Sequence, residues 1–247
     1  MCVAAVAWKA HPDWLLVAAG NRDEYHARPT AALSRWDGRA IIAGTDLTAG
    51  GTWLGVTEAA QGTPGRFALV TNYRVPEGAQ PGRPSRGKLV TDLLEEGLHL
   101  EAAPAMARMN PFNLILAEGE RAWFLTNHPA IETRELSAGI HGLSNGGFDV
   151  PWPKTLKVAE AISGWLHADT RNPAPLLDAL RDETPAPAAL ESGLEPRFSP
   201  VFIRNETYGT RCSTVIAVDR QGQGIILERS FDAKGQCSGE TSLTFSW

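Results

Sequence analysis

No run in this 247-residue sequence approaches 18 consecutive apolar residues, so a membrane-crossing helix is not expected. Cysteine is scarce: Cys2, Cys212 and Cys237 are odd in number and far apart, and no CxxC occurs. That pattern excludes a zinc knuckle and a thioredoxin-type motif and fits a reducing, cytoplasmic home. Cations are outnumbered, with 23 Lys plus Arg against 28 Asp plus Glu, a net charge of −5. A sequence-independent grip on nucleic acid needs the reverse balance. The opening MCVAAVAWKAHPDW lacks a basic leader and a long apolar core before a small-residue site, so it does not read as a secretory signal. No repeat of fixed period is present, and the only biased tract is a Pro/Ala linker over 185–189, expected to be mobile.

What remains is ordinary globular material, 43% hydrophobic and 21% charged, in a chain long enough to bury its own core. Punctuation by Gly and Pro divides it into blocks. Cys2 to Trp8 and Trp14 to Ala19, split by a turn at His11 to Asp13, read as an antiparallel hairpin that Gly20 ends. Strands are expected at 41–43, 52–57 and 67–72, then a helix capped by Ser85 and running to Gly97, and a weaker helix over 102–109. A hairpin over 112–127 turns at Gly119-Glu120, and 140–145 closes that middle sheet. Helices over 154–167 and 174–183 precede three strands, 212–218, 224–231 and 241–245. Strands in blocks between helix pairs are not the alternation of a parallel doubly wound sheet. The expected class is α+β, two mostly antiparallel sheets packed face to face with helices outside, in a single domain over 1–247.

Cys2 reads two ways. It is a small buried hydrophobe at a strand start, or, if Met1 is removed, a thiol beside a free α-amine that can serve as its own base. The cluster Asn21-Arg22-Asp23-Glu24 follows the second strand, whose end the first turn returns to Cys2. There Arg22 can favour the thiolate and Asp23 can orient the amine; the plainer reading is a solvated charged turn.

Met1-Cys2, the tetrapeptide NRDE at 21–24, Tyr25, Arg28 and Pro29 resemble the NRDE family, also called the transport and Golgi organisation family. GGTWLG (50–55), TNYR (71–74), SRGKLV (85–90), GLSNG with PWPK (142–154) and YGTRCSTV (208–215) extend the resemblance over essentially the whole chain. Cys212 departs from it, where Ser is common. The resemblance implies a four-layer α-β-β-α sandwich like that of N-terminal-nucleophile hydrolases, and a similarity to cysteine acylases that cleave penicillin V and bile-salt amides. It implies Cys2 as nucleophile, Arg22 and Asp23 as its support, Asn72 and Asn145 as oxyanion donors, and Arg211 as a second guanidinium near the thiol. Asn21, Glu24 and Arg74 are candidate ligand contacts. Trp53 and Trp152, beside Gly-rich turns, can wall a pocket for an acyl chain or porphyrin. The implied ligand is a small-molecule amide, an acyl thioester or haem. No cofactor is required, and no metal site is apparent. None of His11, His26, His99, His128, His141 and His167 has haem-ligand spacing. A non-catalytic role in moving haem or acyl-CoA-type lipids is the alternative function, and the oligomeric state is open.

Two patterns are rejected. Gly82 to Lys88 has phosphate-loop spacing, but Leu89 stands where Ser or Thr would bind magnesium and no strand precedes it; its cations Arg83, Arg86 and Lys88 leave only a weaker idea of an anion site. Gly142 to Gly146 matches GxSxG, but the only His after Ser144 is His167, with none in the 80 residues that follow, and the strand pattern is not that of an α/β-hydrolase.

Overall fold

The computed structural model describes residues 2–98, 102–168, 171–187 and 198–247, with the side chains of 102 and 103 left out. Over these residues the chain is α+β, with two antiparallel sheets of six and seven strands and few helices. It forms two compact units, each assembled from separated stretches of chain.

The first unit comprises Met1–Ala27, Ala138–Ser144 and Phe148–Thr244. Its sheet has the order β10-β1-β2-β11-β12-β13: β10 is Gly139–Leu143, β1 Cys2–Trp8, β2 Trp14–Tyr25, β11 Tyr208–Asp219, β12 Gln223–Phe231 and β13 Cys237–Ser246. β1 and β2 form the expected hairpin, registered from Cys2 opposite Arg22 to Trp8 opposite Leu16. Side chains alternate across a strand. Val3, Ala5, Val17 and Ala19 accordingly join one apolar core with Val158 and Ile162, which lie on helix α3, Pro153–Leu166. Burying each large aliphatic there contributes roughly 1.5–3 kcal/mol. The short α4, Pro175–Ala179, adds Leu176 and Leu177 to that core.

Three expectations fail in this unit. Gly20 does not end β2, which runs on through the tetrapeptide to Tyr25. Flanking strands on both sides satisfy its backbone, and Gly20 is needed because a Cβ there would sit 2.7 Å from the Val3 carbonyl oxygen. The segment expected to close the middle sheet is instead β10, paired with β1 from Ala4–Leu143 to Trp8–Gly139. The 174–183 helix is limited to the five residues of α4. Of the Pro/Ala linker, 185–187 form neither helix nor strand, and the rest lies outside the described residues.

The second unit comprises Arg28–Ser137, Asn145–Gly147 and Phe245–Trp247. Its sheet is a meander: β3 Thr30–Arg35, β4 Ile41–Asp46, β5 Leu54–Thr57, β6 Arg66–Asn72, β7 Phe112–Glu118, β8 Arg121–Thr126 and β9 Glu132–Glu135. The edge strands β3 and β9 were not expected, because their exposed polar residues carry little apolar alternation. Charge on an edge blocks further pairing. Helix α1, Arg86–Glu96, begins after Ser85, whose side chain makes no capping bond, and ends at Gly97 with φ 77°. Buried Arg66 donates to the carbonyls of Leu94 and Glu95 and pairs with Glu118 at 2.8 Å, which satisfies end carbonyls that α1 leaves open. The weaker helix is α2, Ala102–Ala107. In the basic loop Arg83 and Arg86 donate to the carbonyls of Met109 and Pro111, so these cations tie the loop down.

Candidate functional site around Cys2

β2 places charged side chains inside a sheet. Asn21, Arg22 and Asp23 are all buried, where charge is costly unless it is matched. Cys2 stands opposite Arg22 from one side and Cys212 stands opposite it from the other, and directly opposed residues share a sheet face. The two cysteines therefore flank Arg22 on one face of the sheet. Their strands are about 9.6 Å apart, twice the strand spacing, so they cannot form a disulfide without backbone movement.

Cys2 is buried, and burial pushes its thiol above the usual range. The charge of Asp23 pushes in the same direction, while a backbone hydrogen bond from Asp23 and the charge of Arg22 act the other way. Asp23 is 2% exposed, and burial raises its carboxyl from 3.8 to about 6. Against that burial work the α-amino terminus, Lys154, the Thr210 hydroxyl and Arg22. The Thr210 hydroxyl donates to Asp23 Oδ1 at 2.7 Å and accepts the Ile203 N–H at 2.9 Å. Tyr208 Oη donates to the Asp23 carbonyl at 2.8 Å. Burial raises the Tyr208 phenol strongly, with help from the charges of Asp23, Cys2 and Glu24. The Ser144 hydroxyl donates to the Cys2 carbonyl at 3.0 Å. A register shift between Thr210 and Cys212 sets Arg211 outside the regular pairing, as in a β-bulge that re-aims a side chain. These contacts assemble a buried thiol, carboxyl and guanidinium on adjoining strands of one sheet.

The first unit thus brings together Cys2, Arg22 and Asp23. Glu24 lies 3.8 Å from the Arg22 guanidinium and also accepts the Tyr25 N–H. Asn21 points to the helical side, where its amide donates to the carbonyls of Leu180 and Val201 and its oxygen accepts from Ser213. All three bonds are internal, so Asn21 ties β2 to the segments that carry Leu180, Val201 and Ser213. Arg211 donates to the carbonyls of Tyr25 and His26. Trp152 precedes α3 and faces Lys154 at 5.8 Å.

Trp53, Asn72, Arg74 and Asn145 belong to the second unit. There Trp53 is buried, the Asn145 amide donates to the Asn72 carbonyl at 2.8 Å, and the Arg74 N–H donates to the Asn145 carbonyl. Asn145 Oδ1 is buried with no partner among the described residues.

Sequence reasoning missed Lys154, Tyr208 and Thr210 as site residues and considered Ser144 only as a nucleophile, which it rejected. Each lies within a segment that the family resemblance rests on, which was the available signal. No group of three or more His, Cys, Asp or Glu among the described residues could hold a metal ion. The described histidines have internal neighbours: His141 meets Asp149 at 2.9 Å, His26 the Asn205 carbonyl, His167 the Ser163 carbonyl, His11 the Asp13 N–H, and His128 the Tyr73 ring. His99 lies outside the described residues. No helix is long and apolar enough to cross a membrane among the described residues.

Comparison with known proteins follows the same residues. The family model "Transport and Golgi organisation 2" matches residues 1–233. The chain is 30% identical to the mouse protein "Transport and Golgi organization 2 homolog", covering 98% of this chain and 97% of that one. It is likewise 30% identical to the human "Transport and Golgi organization protein 2 homolog", over 98% and 97%, and 28% identical to the bovine homolog over the same shares. With a match that runs from the buried thiol through the strand holding Thr210, the chain belongs to the Transport and Golgi organisation 2 family.

Proposed function

We propose that this protein is a cysteine amidase or acyl hydrolase that uses Cys2 after loss of Met1. One observation carries the reading: Cys2 opens a strand directly opposite buried Arg22, with buried Asp23 next along that strand. Perturbed, buried titratable groups gathered at one point are the mark of a working site. With Met1 removed, the nitrogen of Cys2 becomes an amine. That amine takes the thiol proton as sulfur attacks the carbonyl carbon. The bond to the leaving amine or thiol breaks, the proton goes to that leaving group, and water then hydrolyses the acyl-cysteine. Asp23 orients the ammonium, and Arg22 favours the thiolate. While Met1 remains, the same nitrogen is a peptide amide and accepts no proton. The reading includes an N-terminal-nucleophile hydrolase-like fold and a cytoplasmic location. The three cysteines, all unpaired, support the latter.

A second reading is favoured by burial, which keeps Cys2 a neutral thiol, and by the transport role in the relatives' names. In it the protein binds or moves haem or acyl-CoA-type lipids without turnover. One experiment separates the two. Intact mass reports whether Met1 is present, and amide and thioester probes are incubated with wild type and Cys2→Ala. Cleavage lost in Cys2→Ala supports the hydrolase; unchanged turnover refutes it. Saturable binding of haemin or long-chain acyl-CoA without cleavage supports the carrier, and no binding to either refutes it.

A further inference from the structure

Lys154 is 1% exposed, and neither packing nor helix formation explains it. An apolar side chain would fill the volume with no charge to desolvate. The residue lies at the second position of α3, after Pro153, and a cation in the first turn opposes the helix dipole. Contacts lead from it to the Cys2 site. Its Nζ donates to the Phe198 carbonyl at 3.3 Å, the Phe198 ring meets the Tyr208 ring edge-on at 5.7 Å, and Tyr208 Oη bonds the Asp23 carbonyl.

We propose that Lys154 is a positioning residue for this site, its buried ammonium holding the Asp23 carboxyl in the ionised form beside Cys2. By strand alternation Asp23 lies on the same side of the sheet as Asn21, where Lys154 from α3, Thr210 and Tyr208 from β11 and the α-amino terminus act on it; Arg22, Glu24 and Cys2 project from the other side, and the charge of Arg22 still reaches it. Among these, Lys154 is a cation supplied from outside the sheet. An ionised Asp23 attracts an ammonium, and a protonated one does not. Lys154 thereby sets the lowest pH at which an amine at residue 2 is held in place. This rests on the Cys2 reading for its purpose, though the test needs no turnover.

The test is an infrared titration of the full-length protein, following the carboxylic-acid C=O band that Asp23→Asn removes. In wild type the band disappears with a midpoint at about pH 6. In Lys154→Met the midpoint moves up by at least about one pH unit, the lower end of the effect of a close opposite charge. Lys154→Arg keeps the charge and restores the midpoint. An unmoved midpoint in Lys154→Met, or an equal rise in Lys154→Arg, overturns the role and leaves the Cys2 reading intact. Conversely, turnover that survives Cys2→Ala removes the hydrolase and leaves this titration standing. If Lys154→Met does not fold, the double variant with Asp23→Asn decides: restored folding supports the pairing, and a double variant that stays unfolded overturns it.

Discussion

Replacing Asp23 by Asn tests whether the site is held at a cost in stability. In the native state burial raises the Asp23 carboxyl from 3.8 to about 6, so the native form holds this proton more tightly than the unfolded chain does. Its contribution is therefore full below about pH 3.8 and is lost as the pH rises through about 6. About two pH units at 1.36 kcal/mol each come to about 3 kcal/mol of stability missing at pH 7. Asn has the same shape, can accept the Thr210 hydroxyl, and stays neutral. Urea denaturation of both proteins between pH 4.5 and 7.5 gives the comparison. Asp23→Asn should be the more stable at pH 7.5 by up to about 3 kcal/mol, and most of that advantage should disappear by pH 4.5. A difference that does not change with pH, or an Asn variant less stable at neutral pH, refutes the burial argument.

The other expected outcomes concern the site and its supports. Cys2→Ala should abolish amide or thioester cleavage, read on the probes described above, and Lys154→Met should raise the Asp23 infrared midpoint by at least about one pH unit. Asn21→Leu leaves the Leu180 and Val201 carbonyls and the Ser213 hydroxyl without their partner; urea melts should show a loss of about 2–4 kcal/mol, and a loss below about 1 kcal/mol would mean that the tie is dispensable. Gly20→Ala drives a methyl to within 2.7 Å of the Val3 oxygen and 2.8 Å of the Ala4 Cβ. A loss of about 1–3 kcal/mol is expected from such overpacking, and a neutral result would show that the β1–β2 hairpin can relax there.

Local chemistry made much of the fold legible. The Gly119-Glu120 turn, the Gly97 helix end and the run of small and β-forming residues in Cys2–Trp8 each act within a few residues, and each appears in the structure near its expected place. What escaped depends on partners far along the chain. The tetrapeptide reads as a solvated turn because nothing near residue 21 shows that Tyr208–Asp219 will pair with it and bury it. Likewise β10 carries no mark of which sheet it joins. The candidate site divides in the same way. Cys2, Arg22 and Asp23 are visible as a hairpin's two ends, whereas Thr210, Tyr208 and Lys154 arrive from β11 and α3. Their residue types are too common to announce a role, and only the closed sheet gives them one.

The register of Cys2 with Arg22 also bears on when processing can occur. An aminopeptidase needs the first residues of its substrate extended and unzipped. Once the hairpin has formed and β10 and β11 have arrived from far downstream, residue 2 is locked into a finished sheet. In the proposed hydrolase, trimming of the initiator would therefore belong to the ribosome-bound chain, before those strands are synthesised, and a molecule that escaped it would keep a blocked nitrogen for as long as it stays folded.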